Sequence, residues 1–249
     1  MDDRPDSAPT ATHLSCVICA WNEAPRIAGV LAVVAGHPLV DEVIVVDDGS
    51  RDGTGDVARG FQRVRVVACP VNRGKAAAMA EGLAAARHEL LLLLDADLRG
   101  LTGEDVSALA LPVLDGAVDV SLSLRRNSLA LFRAIGLDFV SGERVLRRAL
   151  LAEALSEAPR LPRFGIEVVM NRRIISERLP IAVVRWSGVT QARKTEKLGL
   201  VRGLRAEWRM LRDLMHATYP MELVSQSWHL LALRERPLPA PSDVEAGAT

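Results

Sequence analysis

Leu90-Leu-Leu-Leu-Leu94-Asp95-Ala96-Asp97-Leu98 is the stretch whose reading decides the fold. Five successive leucines fall far short of the roughly 18 apolar residues of a membrane-spanning helix, and they present no polar face. They read as a strand buried on both sides, as in a parallel sheet covered by helices. Two carboxylates follow where such a strand emerges at its carboxyl end, the edge at which open α/β sheets take their ligands. Acids two residues apart suit a hard cation. Mg²⁺ or Mn²⁺ accepts one or two carboxylates and fills its other positions with phosphate oxygens and water. A strand-end turn with two solvated acids uses the same residues, so Asp-x-Asp by itself leaves both readings open.

Working outward, the chain alternates strands and helices. Leu14 to Ala20 reads as a strand, Pro25 opens a helix that runs to about Ala35, and Val43 to Val46 is a second buried strand. Asp47-Asp48-Gly49-Ser50-Arg51-Asp52-Gly53-Thr54 is rich in turn and cap residues. A short helix follows to about Gly60, then a strand at Val64 to Ala68, and an alanine-rich helix from Ala76 to Arg87. Beyond the leucines, Thr102-Gly-Glu-Asp105 caps a helix reaching about Asp115. Val118 to Leu124 and Ile181 to Trp186 are further strands, with a helix from Ile166 to Glu177 between them. This order predicts an α/β fold, a doubly wound, mostly parallel sheet with a nucleotide crevice.

Composition sets the bounds. At 249 residues, 49% hydrophobic and 25% charged, the chain has ample material for one large core. Lysine plus arginine equals aspartate plus glutamate, and aromatics are 4%, so neither net charge nor stacking surface predicts a nucleic-acid partner. Cys16 and Cys19 spell C-x-x-C, but residues three apart on a strand face opposite sides, which predicts buried thiols rather than a shared metal. Met1 to His13 is polar and acidic, unlike a signal peptide, so a cytoplasmic protein is expected. The expected organisation is a disordered leader at 1–12, a catalytic domain at 13–190, a helical extension at 191–234 and a disordered tail at 235–249.

Familiar phosphate motifs are absent. No G-x-G-x-x-G follows the first strand, and Arg73-Gly-Lys-Ala lacks the spaced glycine and the hydroxyl of a P-loop. Four other motifs stand in order: Val17-Ile-Cys-Ala-Trp-Asn-Glu23, Val45-Val-Asp-Asp-Gly-Ser-Arg-Asp-Gly-Thr54, Asn72-Arg-Gly-Lys-Ala76 and Leu94-Asp-Ala-Asp97. Together they resemble the family-2 glycosyltransferases of GT-A fold over about residues 14 to 187. Val140-Ser-Gly-Glu-Arg-Val-Leu-Arg147 and Phe164-Gly-Ile-Glu167 resemble the branch of polyprenyl-phosphate sugar synthases and glucosyl-3-phosphoglycerate synthases.

That resemblance implies a donor, a nucleotide-diphospho-sugar linked to UDP or GDP, and a phosphate-bearing or small-molecule acceptor such as a polyprenyl phosphate. It implies that Ala20, Trp21, Asn22, Glu23 and Asp48 hold base and ribose, that Gly74 and Lys75 meet nucleotide or diphosphate, and that Asp95 and Ala96 complete the nucleotide site. Asp97 is the implied metal ligand, for Mg²⁺ or Mn²⁺. Glu167 is implied to bind sugar or acceptor first and to act as base second, although a carboxylate there also complements a helix N-terminus. Ser141 and Gly142 would face sugar and acceptor. Arg144, with Arg147 and Arg148, reads either as an acceptor-phosphate contact or as a solvated helix face.

Many relatives place a histidine after the strand ending at Trp186, but here Ser187 to Glu196 offers only Gln191, a weak metal ligand through its oxygen, with His216 as an outsider. The basic run Arg193, Lys194, Lys197, Arg202, Arg205 and Arg209 would close over diphosphate or form a solvated face. Leu204, Trp208, Leu211, Leu214 and Met215 recur at helical spacing, an apolar face for core packing, a homodimer contact or a peripheral membrane surface. A sugar-1-phosphate nucleotidyltransferase would need a glycine- and arginine-rich loop where Trp21-Asn-Glu-Ala-Pro-Arg26 stands. A catalytically degenerate nucleotide-sugar-binding or assembly protein is the remaining alternative.

Overall fold

The computed structural model describes residues 13–128, 130–157, 165–191 and 220–235. The elements run β1 (Leu14–Ala20), α1 (Ala24–Val34), β2 (Glu42–Asp47), α2 (Thr54–Arg59), β3 (Val64–Ala68), α3 (Lys75–Ala85) and β4 (Leu90–Asp95). There follow β5 (Leu98–Arg99), α4 (Gly103–Leu114), β6 (Val120–Arg125), α5 (Ala130–Ile135), β7 (Arg144–Arg147) and α6 (Arg148–Glu157). The last are α7 (Gly165–Ser176), β8 (Ile181–Trp186), β9 (Thr190–Gln191) and α8 (Pro220–Ala232).

Seven strands form one sheet in the order β3-β2-β1-β4-β7-β6-β8. β1, β2, β3 and β4 pair in parallel, as do β6 and β8, while β7 runs antiparallel between β4 and β6. The expected mostly parallel sheet, flanked by helices, is therefore observed. The leucine run explains why. Successive side chains on a strand point to opposite faces, so Leu90, Leu92 and Leu94 enter one core with α1 and α4. Leu91 and Leu93 enter the other with α3, α6 and α7. Each fully buried leucine contributes about 2 kcal/mol of apolar transfer. α4 begins on a reciprocal cap, in which the Asp105 N–H donates to Thr102 Oγ1 (3.2 Å) and the Thr102 N–H to Asp105 Oδ2 (3.0 Å).

Chain order reverses at β1, which has β2 on one side and β4 on the other. The crevice above such a switch point is where open sheets bind ligands. β5 and β9 form a separate two-stranded ribbon, with Leu98 opposite Gln191. Pairs of two residues carry no periodicity, so the sequence gives no warning of this ribbon.

Cys16 and Cys19 are free and face opposite cores. Burial pushes the Cys19 thiol up to about 12. One expectation is corrected: Arg144 and Arg147 belong to a strand, not to an exposed helix face. Arg144 is fully buried, because its guanidinium finds the Ser141 carbonyl (2.6 and 3.0 Å), the Phe139 carbonyl (3.3 Å) and Asn171 Oδ1 (3.1 Å). The apolar face from Leu204 to Met215 lies outside the described residues. α8 buries Leu230 and Gln226 and leaves Trp228 71% exposed. Among the described residues no helix is long and apolar enough to cross a membrane.

Candidate active site

The carboxyl ends of β1, β2 and β4 converge, with Ala20 opposite Asp47 and Cys19 opposite Asp95. Lys75, the first residue of α3, reaches across this edge. Its Nζ lies 3.0 Å from Asp95 Oδ1 and 2.9 Å from Glu167 Oε1. Burial opposes the Lys75 charge, yet the Asp95 and Glu167 carboxylates outweigh it and hold the ammonium above the usual lysine range. Burial likewise opposes ionisation of Asp95, but Lys75 and Arg125 bring its carboxyl down to about 2. Both groups are therefore charged at neutral pH.

Two glycines make this possible. Gly74 has φ +91°, a conformation strained for any residue with a Cβ. A Cβ on Gly142 would lie 2.6 Å from Lys75 Nζ and 2.9 Å from Asp95 Oδ1, so only glycine lets the ion pair rest against that backbone. Ser141, beside it, donates to Glu143 Oε2 at 2.6 Å and faces the interior rather than the crevice.

A second cluster adjoins the first. Gln191 Nε2 donates to Asp95 Oδ2 (2.8 Å) and Asp97 Oδ1 (3.1 Å). Gln191 Oε1 accepts from Arg125 Nη1 (2.9 Å), which also donates to Glu143 Oε1 (2.6 Å). Asp138 and Asp95 stand 3.6 and 3.8 Å from the same guanidinium. Burial drives the Glu143 carboxyl upward, as does Asp95, against the pull of Arg125 and two serine hydroxyls. Sequence reasoning assigned no role to Arg125, Glu143 or Asp138. The available signal was position, since Arg125 closes the strand read as Val118 to Leu124, at its ligand-binding end.

The loop after β1 is laced to the loop after β2. The Asn22 N–H donates to Ser50 Oγ (2.9 Å), the Glu23 N–H to Thr54 Oγ1 (2.8 Å) and the Arg51 N–H to Asn22 Oδ1 (2.9 Å). Asn22 sits at φ 55° and Trp21 beside it is 54% exposed, a free aromatic face at the crevice rim. Asp48 has a second task. Both its oxygens accept backbone N–H groups, from Arg73 (2.9 Å) and Gly74 (2.8 Å), so it shapes the Lys75 loop from beneath. Ala96 is buried in the core, and Glu23 pairs with Arg26. Arg144 makes its contacts behind the site.

The donor set can be weighed for a divalent cation. Among the described residues no group of three or more His, Cys, Asp and Glu forms a metal cage. Mg²⁺ and Mn²⁺ need none when a diphosphate supplies oxygens beside one or two carboxylates. At the crevice Asp95, Asp97 and Glu167 gather around the Lys75 ammonium, an excess of negative charge that a divalent ion would offset. The residues fit such an ion at Asp97.

Residues 15–136 match the family model described as glycosyl transferase family 2. A dolichyl-phosphate beta-glucosyltransferase of Drosophila melanogaster is 39% identical over 100 residues, 34% of this chain and 31% of that protein. The chain spans less than a third of the length of the curated relatives it matches. Glucosyl-3-phosphoglycerate synthase of Mycobacterium tuberculosis in complex with UDP is 30% identical, with a TM-score of 0.57 over 70% of each chain. The same synthase with Mn²⁺, UDP-glucose and phosphoglyceric acid is 27% identical, with a TM-score of 0.61 over 76% of this chain and 77% of that one.

Proposed function

This chain belongs to glycosyl transferase family 2, and from that premise we propose that it moves a hexose from a UDP- or GDP-linked sugar to a phosphate-bearing or other small-molecule acceptor. The observation that carries the proposal is the Lys75–Asp95–Glu167 ion cluster, standing beside Asp97 above the switch point of the sheet. The base lies against Trp21 and the Asn22–Glu23 loop, whose backbone is fixed by Ser50 and Thr54. Lys75, kept charged by its two carboxylates, meets the diphosphate. Glu167, buried at the first turn of α7, faces the sugar and the attacking acceptor, where it orients hydroxyls and is placed to take the acceptor's proton. Asp97 would hold the divalent cation, which when bound neutralises the departing diphosphate as a Lewis acid.

The Mn²⁺ and UDP-glucose of the related synthase make UDP-glucose with Mn²⁺ the first pair to test, with Mg²⁺ as the second metal. The phosphoglyceric acid of that complex and the dolichyl phosphate of the Drosophila relative support an acceptor with a phosphate. The exposed Trp228 supports a peripheral membrane contact, which suits the polyprenyl case. The working unit takes in residues 13–191 together with α8, because β9 delivers Gln191 to the acids and α8 packs Leu230 into the core and leads into a bridge to β8.

The test is a transfer assay with UDP- and GDP-hexoses, Mn²⁺ or Mg²⁺, and either 3-phosphoglycerate or a polyprenyl phosphate. Acceptor-dependent release of nucleoside diphosphate, with a glycosylated product by mass, is expected and should disappear in Glu167→Gln. Donor binding without release by any pair would favour a binding-only protein.

A further inference from the structure

Gln191 is held from five directions. Its carbonyl accepts from Asn127 Nδ2 (2.8 Å) and its N–H donates to Asn127 Oδ1 (3.1 Å), so an amide pair pins the backbone. Its side chain then spans Asp95, Asp97 and Arg125. Only one orientation satisfies these neighbours. Turned over, the amide would set its oxygen against two carboxylates and its NH₂ against a guanidinium that can only donate. For that oxygen to reach a cation beside Asp97, three hydrogen bonds must break, one of them from a buried arginine.

Arg125 is fixed in its turn. Its other partner, Glu143, is fully buried and accepts from Ser123 Oγ (2.8 Å) and Ser141 Oγ (2.6 Å) through its second oxygen. Asp95 is committed as well, with Oδ1 on Lys75 and Oδ2 on Gln191. Asp95, Asp97 and Gln191 are thus all engaged with protein partners.

We propose that Gln191 is a positioning residue rather than a metal ligand: an amide clamp, oriented by Arg125, that holds Asp95 and Asp97 together while the cation is absent. Among the described residues too few donors then remain to take up a divalent ion alone, and the donor's diphosphate supplies the missing oxygens. This inference rests on the nucleotide-sugar reading of the same crevice, and the experiment separates the two.

The experiment is titration of Mn²⁺, read by the paramagnetic resonance of the free ion, into the wild type, Gln191→Ala and Gln191→His, each alone and with UDP or GDP. Gln191→Met, close in size but without polar atoms, replaces the alanine variant if that one fails to fold. The wild type alone should leave Mn²⁺ free, and the nucleotide should bring it onto the protein. Gln191→Ala should change the affinity of the nucleotide complex by less than about threefold, while melting lower than the wild type in EDTA. Gln191→His should bind Mn²⁺ without nucleotide, at least about tenfold more tightly than the wild type. One more water on the bound Mn²⁺ in the Gln191→Ala nucleotide complex, read by water-proton relaxation, would make Gln191 a ligand and overturn the clamp. So would tight binding of Mn²⁺ to the wild type alone, even if nucleotide binding survives. Failure of both nucleotides to bind at all would instead bring down the donor reading, and the coupled uptake with it.

Discussion

Strands β4 and β7 lie side by side and bury opposite chemistries. β4 fills both cores with leucine, and any apolar neighbour of the right size would satisfy it. β7 buries Arg144 beside Val145 and Leu146, just after buried Glu143, and β6 beyond it buries Ser121, Ser123 and Arg125. A buried charge must find particular partners at particular angles, so this half of the sheet specifies geometry where the leucine half supplies stability. The site sits on the seam, with Asp95 from the apolar side and Arg125 from the polar side meeting at Gln191.

The sharpest way to break that division is at the strand end. Asp97→Asn should lower transfer by about 1,000-fold, a loss of the size seen when one preorganised electrostatic group is removed. Its denaturant midpoint should stay near that of the wild type. An equal fall in stability and activity would mean that the acid is structural.

Inside the sheet the two halves should respond differently. Arg144→Ala should cost about 4 kcal/mol, because two carbonyls and Asn171 lose their donor, and Arg144→Met, which fills the space without donating, should recover only the smaller cavity part of it. Leu92→Ala should cost about 3 kcal/mol as a cavity in an apolar core. Urea unfolding measures all three. If Arg144→Met is as stable as the wild type, the guanidinium does not hold its neighbours as described.

The pH profile probes the seam itself. Asp95 has its carboxyl lowered in the fold, so its stabilisation is present above the ordinary aspartate value and is lost as pH falls from about 4 to about 2. That contribution is about 2 kcal/mol, and Asp95→Asn should flatten the acid limb of the stability curve by that amount. Lys75 behaves oppositely. Its raised value keeps the pair intact below the ordinary lysine range and releases it only in more alkaline solution. The smallest effect belongs to Thr102→Ala, which removes the cap of α4 and should cost about 1 kcal/mol without touching activity.

The two halves were unequally legible. The bounds read for the strands Leu14–Ala20, Val64–Ala68 and Ile181–Trp186 match the structure, because apolar runs there end against turn-forming or polar residues. The ordered motifs pointed to Lys75, Asp95 and Asp97, and Phe164-Gly-Ile-Glu167 pointed to Glu167; the fold brings these together with Gln191. β7 was not legible as a strand. Arg144, Arg147 and Arg148 read as an acceptor contact or a solvated helix face, and only the tertiary partners of Arg144 reverse that for it. Arg125 escaped for a related reason, since its partners lie 18 and 66 residues away and no local spacing encodes them. The hold of Asp48 on the Lys75 loop was not legible, because its oxygens accept from backbone amides, which any sequence provides.

The central claim is that a nucleotide-sugar donor and a divalent cation share the crevice at Asp97. It is tested most directly by thermal shift of the wild type and Asp97→Asn with UDP- and GDP-sugars, in Mn²⁺ and in EDTA. A ligand at about 100 times its dissociation constant adds about 2.7 kcal/mol of stability. The account predicts an upward shift for one nucleotide class in Mn²⁺, reduced in EDTA and lost in Asp97→Asn. A correctly folded wild type that shifts with none of these donors in either condition would contradict it.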